Sequence, residues 1–375
     1  MAYKQFFTDR KFLLPLAVVV VFELSLQAGC YKPLLKKNSY AANVNRIVNH
    51  VIDKQEEFDP NVLVFGTSVG YQGLSVRILN DQLRQNGVKL NSIAIPGSEL
   101  IVQELAMEKA LDHFKNIKTV VHVMEVTMPW VNHDDLSLPT LAMVSEFNRI
   151  RAVEKLYQHE YDVKYDDIAY VLTKSFAYRR DMRDLFLHLD RRVKDLGREL
   201  KNPNREIYDY ENSYHQKISS YPVSDLENCK TLTGPQNLDP VPPTSDQAHK
   251  RALFDTCSLA LVTTVPMEST PKSEKYFRRL QKLYSVLQKR NIRIINVFAP
   301  YSSLLNNLRG KERIVVWQRE LEKSLGKENV TIIDLQDIFE NKNSGDYFYD
   351  LIHLNRAGMV EFSNHLGKKL GELKL

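Results

Sequence analysis

The chain has 375 residues, 43% of them hydrophobic and 26% charged, with a formal net charge of +5. That length holds one large domain or two small ones, and the composition is that of a globular protein. The small net charge, with no long Lys/Arg run, excludes a protein that works through a dense phosphate-binding stripe and leaves only a weak attraction for anionic surfaces.

Lys4, Arg10 and Lys11 precede Phe12 to Phe22, eleven residues without a charge, and Glu23 then interrupts. Such a run is short for a bilayer span and suits the apolar core of a secretory signal. Next comes Leu24-Ser-Leu-Gln-Ala-Gly-Cys30. Small residues directly before a Cys resemble a bacterial lipoprotein cleavage box, in which Cys30 becomes the lipidated first residue. An uncleaved anchor or an ordinary signal peptide is the alternative. Residues 1–29 are expected to serve export rather than the fold, and 30–59 to form a linker and a first helix. The remaining cysteines, Cys229 and Cys257, are an even pair in a stretch that reads as loop-rich. An oxidising compartment allows them to bridge; two free buried thiols are the other reading.

Five strand-like runs follow in chain order: Val62 to Phe65, Ser92 to Ile95, Thr119 to Met124, Ile292 to Phe298, and Val330 to Asp334. They are short, mostly β-branched, and end at Gly, Pro or a polar cluster. Near-continuous apolar runs suit strands buried on both faces of a parallel sheet. Helical patterns separate them at Ser75 to Asn86, Ser98 to Phe114, Lys272 to Lys289 and Arg313 to Leu325, and Arg356 to Leu370 closes the chain. The expectation is an α/β fold, flavodoxin-like, with three α/β/α layers and a parallel sheet.

Between the third and fourth runs lie about 165 residues, where a crossover needs only about a dozen or more. Residues 136–270 are therefore expected to form a large, mostly helical and loop insertion in a domain made of 60–135 and 271–375. Within it, 140–201 reads as helical and charged, and 202–250 as rich in Pro, Asn, Ser and Asp. The basic stretch Arg179 to Arg192 alternates with Asp and Leu, which predicts a solvated, ion-paired helix face.

Active sites of open α/β sheets sit beyond the carboxyl ends of the strands. Ser68 lies just past the first strand, Gly97 past the second, and Glu125 to Trp130 past the third. Asp350 and His353 follow the fifth, before the last helix. A serine hydroxyl becomes a useful nucleophile only when an imidazole accepts its proton, and that imidazole needs a partner to fix its tautomer. Asp350, three residues before His353, can supply that partner from one tight turn. Nucleophile, Asp, His is one of the chain orders such a triad takes. Each motif alone also has a plain structural reading, with Ser68 capping a helix and Asp350 fixing a loop.

On these residues the chain resembles the SGNH (GDSL-like) hydrolase superfamily. Gly66-Thr67-Ser68 is similar to its first block with Thr in place of Asp, Gly97 to its oxyanion glycine, and Asp350-Leu-Ile-His353 to its last block. The replaced first-block Asp is similar to envelope O-acyltransferase-like branches. The resemblance covers roughly 60–130 and 290–372. It implies Ser68 as nucleophile, His353 as base, Asp350 as its orienter, and the N–H groups of Ser68 and Gly97 as an oxyanion hole. It departs after the third strand, where Met124 to Asp135 contains no Gly-x-Asn. Asn132 or Thr127 is left to supply the third donor, unless the backbone pair suffices.

The implied protein is an exported, membrane-tethered serine esterase or O-acyltransferase, attached through a lipid anchor or its N-terminal segment. Its substrates would be ester-linked acyl groups of an envelope carbohydrate or lipid, and transfer would need an acyl-donating membrane protein. A non-catalytic envelope binding protein that keeps the fold is the alternative. No nucleic acid partner is expected. No Gly-x-x-x-x-Gly-Lys or strand-linked Gly-x-Gly-x-x-Gly occurs, so no nucleotide cofactor is expected. The spacing of His122, His133, Asp134 and Asp135 fits no zinc pattern, so no metal is expected, and His122 should be packed within its strand.

Overall fold

The computed structural model of the protein describes residues 9–36, 39–53, 59–131, 136–145, 148–201, 212–236, 244–373 and 375. Two compact units emerge. One joins Met1–Asn49 to Leu136–Arg205; the other joins His50–Asp135 to Glu206–Leu375.

The second unit is built on a five-stranded parallel sheet of order β2-β1-β3-β4-β5, with β1 at Val62–Gly66, β2 at Leu90–Ser92, β3 at Thr119–Met124, β4 at Arg293–Phe298 and β5 at Ile332–Asp334. Leu63, Val64, Val120, Val121, Ile295 and Val297 are all 0% exposed, so both faces of the central strands are covered, as a doubly wound sheet requires. Two sets of helices cover them. Val76–Leu83 packs with Arg356–Glu372, and Leu100–His113 packs with Pro271–Gln288, which also meets Lys311–Leu325. This is the three-layer α/β/α arrangement with helical insertions.

Helix starts follow local capping chemistry. The Ser75 hydroxyl accepts from the Ile78 N–H (3.2 Å), and the Asn355 side chain accepts from the Gly358 N–H (3.0 Å). His122 is buried within β3, stacked on Phe65, with Nδ1 2.8 Å from the Tyr284 hydroxyl. Burial pushes its pKa down to about 3, so it is a neutral packing residue.

Several expectations need correction. The second strand is Leu90–Ser92 rather than Ser92 to Ile95. The polar Asn91 hid it, and the Asn80 side chain secures its edge by exchanging bonds with the backbone of Leu90 (2.7 and 2.9 Å). The 136–270 stretch divides between the two units. Residues 136–205 group with the N-terminal 49 residues, and 206–270 belong to the sheet unit. The stretch read as loop-rich carries the helices Leu226–Thr233 and Ser245–Val262. The second opens on a Thr244/Gln247 capping box, a start signal legible in the sequence.

The basic stretch is also less solvated than expected. Asp181 and Arg192 are buried, 3.0 Å apart, and Arg192 also meets Asp184 at 2.9 Å. The physical reason lies in residues 31–36, expected as linker, which pack here. The Tyr31 hydroxyl and the Lys36 N–H both donate to the Asp181 carboxylate (2.7 and 3.0 Å). Cys229 and Cys257 form a disulfide, with both residues buried. Cys30 is a free, exposed cysteine.

Candidate active site

β1 delivers the serine. Its apolar run ends at Gly66, where φ is +150° and an added Cβ would stand 2.1 Å from the Val123 carbonyl oxygen of β3. No side chain fits there, so glycine lets the two strands stay paired up to their carboxyl ends. Thr67 is the N-cap of the short helix Ser68–Gly73 and accepts from the Val69 N–H (3.4 Å). Ser68 therefore occupies the first helical position, half-buried, with its hydroxyl at the sheet edge.

The other two residues come from one turn, closed by the antiparallel bridge Phe348–Leu354. Asp350 Oδ1 accepts the N–H groups of Ile352 (2.9 Å) and His353 (2.7 Å). That leaves Oδ2 to accept from His353 Nδ1–H at 2.8 Å. With the proton on Nδ1, Nε2 accepts from the Ser68 hydroxyl, also at 2.8 Å. The relay Ser68–His353–Asp350 is thus complete, and the tautomer is fixed by the carboxylate.

The charges in the relay are set by opposing effects. Burial alone would raise the Asp350 carboxyl; the His353 charge and the N–H donors outweigh it and hold the pKa below its ordinary 3.8. Burial alone would lower the His353 imidazole; the adjacent Asp350 carboxylate carries it above 6.5. As a base, His353 must be neutral, so activity should fall as pH drops through this raised value. In stability the signs differ. The His353 contribution is full below about pH 6.5 and is lost as pH rises through the folded value; that of Asp350 is present above about 3.8 and is lost on acidification.

Glu125 is a member of the site that sequence reasoning located only as a position past β3. It follows β3 directly, and the β1–β3 register pairs Gly66, two residues before Ser68, with Val123, two residues before Glu125. Burial raises its carboxyl, and its charge acts on His353, raising that group further. Glu125→Gln is therefore expected to move the acid limb of the activity profile to lower pH, with the plateau rate within about threefold. A pH–rate profile against the wild type checks this; an unmoved limb excludes the coupling. A charged residue directly after a buried strand was the available signal.

Gly97 is exposed and has φ +63°. Its loop is tied to the nucleophile loop by the Ser98 hydroxyl, which donates to the Gly66 carbonyl (3.1 Å). Neither the Ser68 nor the Gly97 N–H donates to an acceptor among the described residues, which leaves both available to a developing oxyanion. Thr127 is not available. Its hydroxyl is buried against that of Tyr301 at 2.7 Å. Asn132 lies outside the described residues.

The segment from Asn212 to Tyr221 wraps the Asp350–His353 turn. The Ile218 N–H donates to the Phe348 carbonyl (3.1 Å), and the Arg356 N–H to the Tyr214 carbonyl (2.8 Å). The Tyr214 ring, 37% exposed, stacks on Tyr349 (4.2 Å), which stacks on His249 (4.7 Å). His249 Nε2 bonds the Tyr349 carbonyl at 2.6 Å, which fixes the residue preceding Asp350.

A parallel α/β sheet that presents serine, aspartate and histidine in this order and geometry defines the class: an α/β protein with a hydrogen-bonded Ser–His–Asp relay. No protein-family model matches the chain. No curated protein matches it.

Proposed function

We propose that this chain is an exported serine esterase or O-acyltransferase of the SGNH type, acting on ester-linked acyl groups of an envelope carbohydrate or lipid. The observation that carries the reading is the continuous relay from Ser68 Oγ through His353 to Asp350, with 2.8 Å at each junction. Ser68 attacks the acyl carbonyl while His353 Nε2 takes its proton. The tetrahedral oxyanion is met by the Ser68 and Gly97 N–H groups. His353 then protonates the departing alcohol, leaving an acyl-serine. Water releases the acyl group in an esterase, and an acceptor hydroxyl takes it in a transferase, in both cases deprotonated by His353. A transferase would draw its acyl group from a membrane partner.

A carbohydrate substrate is favoured by Tyr214, whose ring is part-exposed beside the triad turn. Such a ring offers an apolar platform with a polar tip. Tyr214→Ala is expected to raise KM for a glycosyl ester about threefold to tenfold while kcat stays within about twofold. Steady-state kinetics separates the two, and a fall confined to kcat would count against the platform.

The decisive experiment is labelling of the folded protein with a fluorophosphonate. Capture that requires both Ser68 and His353 supports the enzyme. A second reading, a non-catalytic envelope binding protein, draws on one observation: the stretch after β3 has no Gly-x-Asn, and its Thr127 hydroxyl is spent on Tyr301. Absence of labelling in the folded wild type would favour it.

A further inference from the structure

A densely bonded acidic group with no part in the relay is Glu23, near the end of the helix Arg10–Gln27. Its carboxylate accepts the N–H of Lys174 (2.5 Å) and that of Ser175 (3.0 Å), the first two residues of the helix Lys174–Leu187. That helix has no side-chain cap from its own flanking residue Thr173. Glu23 is its cap, supplied from about 150 positions away. Arg149 reaches the same carboxylate at 3.4 Å and also donates to the Leu172 carbonyl (2.6 Å), and the Gln27 amide adds a bond at 3.1 Å. The Glu23 and Arg149 side chains are only 17% and 5% exposed. Burial alone would raise the Glu23 carboxyl; the N–H donors outweigh it and keep it ionised.

N-terminal to this joint the same helix changes character. Leu14, Val19 and Val20 are 70%, 63% and 48% exposed. At about 100° per residue they point in three directions around the axis. A protein groove covers one face of a helix; apolar exposure around the whole circumference is matched by hydrocarbon. Arg10 and Lys11 stand at the N-terminal end of the helix and Glu23 near the other, so the helix enters the lipid obliquely, close to the headgroup boundary, where the two cations meet anionic headgroups. Ile150, Leu172 and Phe176, sequence neighbours of the residues that hold Glu23, are also exposed, at 72%, 40% and 45%. No described helix is long and apolar enough to cross a membrane. The uncharged stretch from Phe12 to Phe22 rises about 16 Å, roughly half of a ~30 Å hydrocarbon core.

We propose that the helix Arg10–Gln27 stays in the mature protein as a lipid-inserted anchor, latched by Glu23 to the helix Lys174–Leu187, and that the chain is not cut before Cys30. This rests on the envelope placement in the functional reading and is independent of the triad. Removing residues 1–29 would take the capping carboxylate out of a folded unit, whereas an ordinary cleavable leader leaves the mature fold intact.

The test uses the full chain, produced with its own N-terminus in a bacterium that processes lipoproteins. Intact mass and N-terminal sequencing of the membrane-bound protein should return a chain that contains Glu23, with a Cys30 thiol that reacts with a maleimide. A chain that begins at Cys30 and carries a diacylglycerol thioether, or one that begins further along, overturns the proposal. Val19→Asp/Val20→Asp should shift the protein to the soluble fraction on alkaline extraction; continued retention removes the lipid contact. Glu23→Ala should speed hydrogen exchange at the first turn of Lys174–Leu187 by about tenfold or more, and Glu23→Gln should do so less; unchanged exchange removes the latch. Fluorophosphonate capture at Ser68, run on the same samples, reports separately on the enzyme.

Discussion

Ser68→Ala is expected to lower turnover of an acyl ester by about 10⁴-fold or more and to abolish fluorophosphonate capture. His353→Ala should cost a similar factor, and the double variant little more. The three groups act as a unit, because a serine without its base and a base without its serine are equally idle. Asp350→Asn should cost about 10⁴-fold with the fold intact, since an amide facing His353 Nδ1 holds the wrong tautomer. Residual catalysis from the backbone donors at Ser68 and Gly97 should survive in every variant. Single-turnover rates on an activated aryl ester check all of these. A Ser68→Ala protein that turns over at the wild-type rate would remove the enzymatic assignment altogether.

Loss of the Cys229–Cys257 bridge should be the largest stability effect. The bridge closes a loop of 28 residues between the helices Leu226–Thr233 and Ser245–Val262. In the chain-entropy account such a loop contributes about 3–4 kcal/mol. Cys229→Ser/Cys257→Ser, or reduction of the wild type, should therefore lower the melting midpoint of the sheet unit by roughly 6–16 °C. Thermal unfolding with and without reductant checks the figure. Triad labelling below the midpoint should be retained, since neither cysteine touches the relay. A large shift would accord with the proposed export, since structural disulfides form mostly in oxidising compartments.

How much of this was legible in the sequence differs from element to element. β1, β3 and β4 were readable because central parallel strands bury both faces, so their runs are mostly apolar, with His122 in β3 and Asn296 in β4 as buried polar interruptions. β2 and β5 are edge strands of three residues each. Asn91 interrupts β2 although it is buried, its side-chain oxygen accepting the Ser92 N–H (2.8 Å), and so short a run with a polar centre carries little strand signal. The pairing of Ser68 with His353 followed from the rule that parallel sheets gather their strand ends, and the Asp350–His353 bond followed from a separation of three residues. Glu125 was harder, because its influence on His353 depends on register, which no spacing in the sequence reveals. The helices Leu226–Thr233 and Ser245–Val262 were obscured by polar composition, although Thr244-Ser-Asp-Gln247 is a start signal. The role of Glu23 was not readable at all. It interrupts an apolar run, and nothing in the sequence says that a distant helix needs its carboxylate.

The reach of the relay along the chain has a temporal consequence. Ser68 and His353 are separated by 285 residues, and at common elongation rates of 5–20 residues per second roughly 15–60 s pass between their syntheses. During that interval the nucleophile is present and its base does not yet exist. The Asp350–His353 turn is local and can close as soon as it emerges, yet it meets the serine only when β1, β3, β4 and β5 have paired. An activated hydroxyl therefore appears only once the whole sheet has assembled. In the enzyme proposed above, a nascent or truncated chain would carry the serine without its base, and the order of synthesis would keep it from premature acylation.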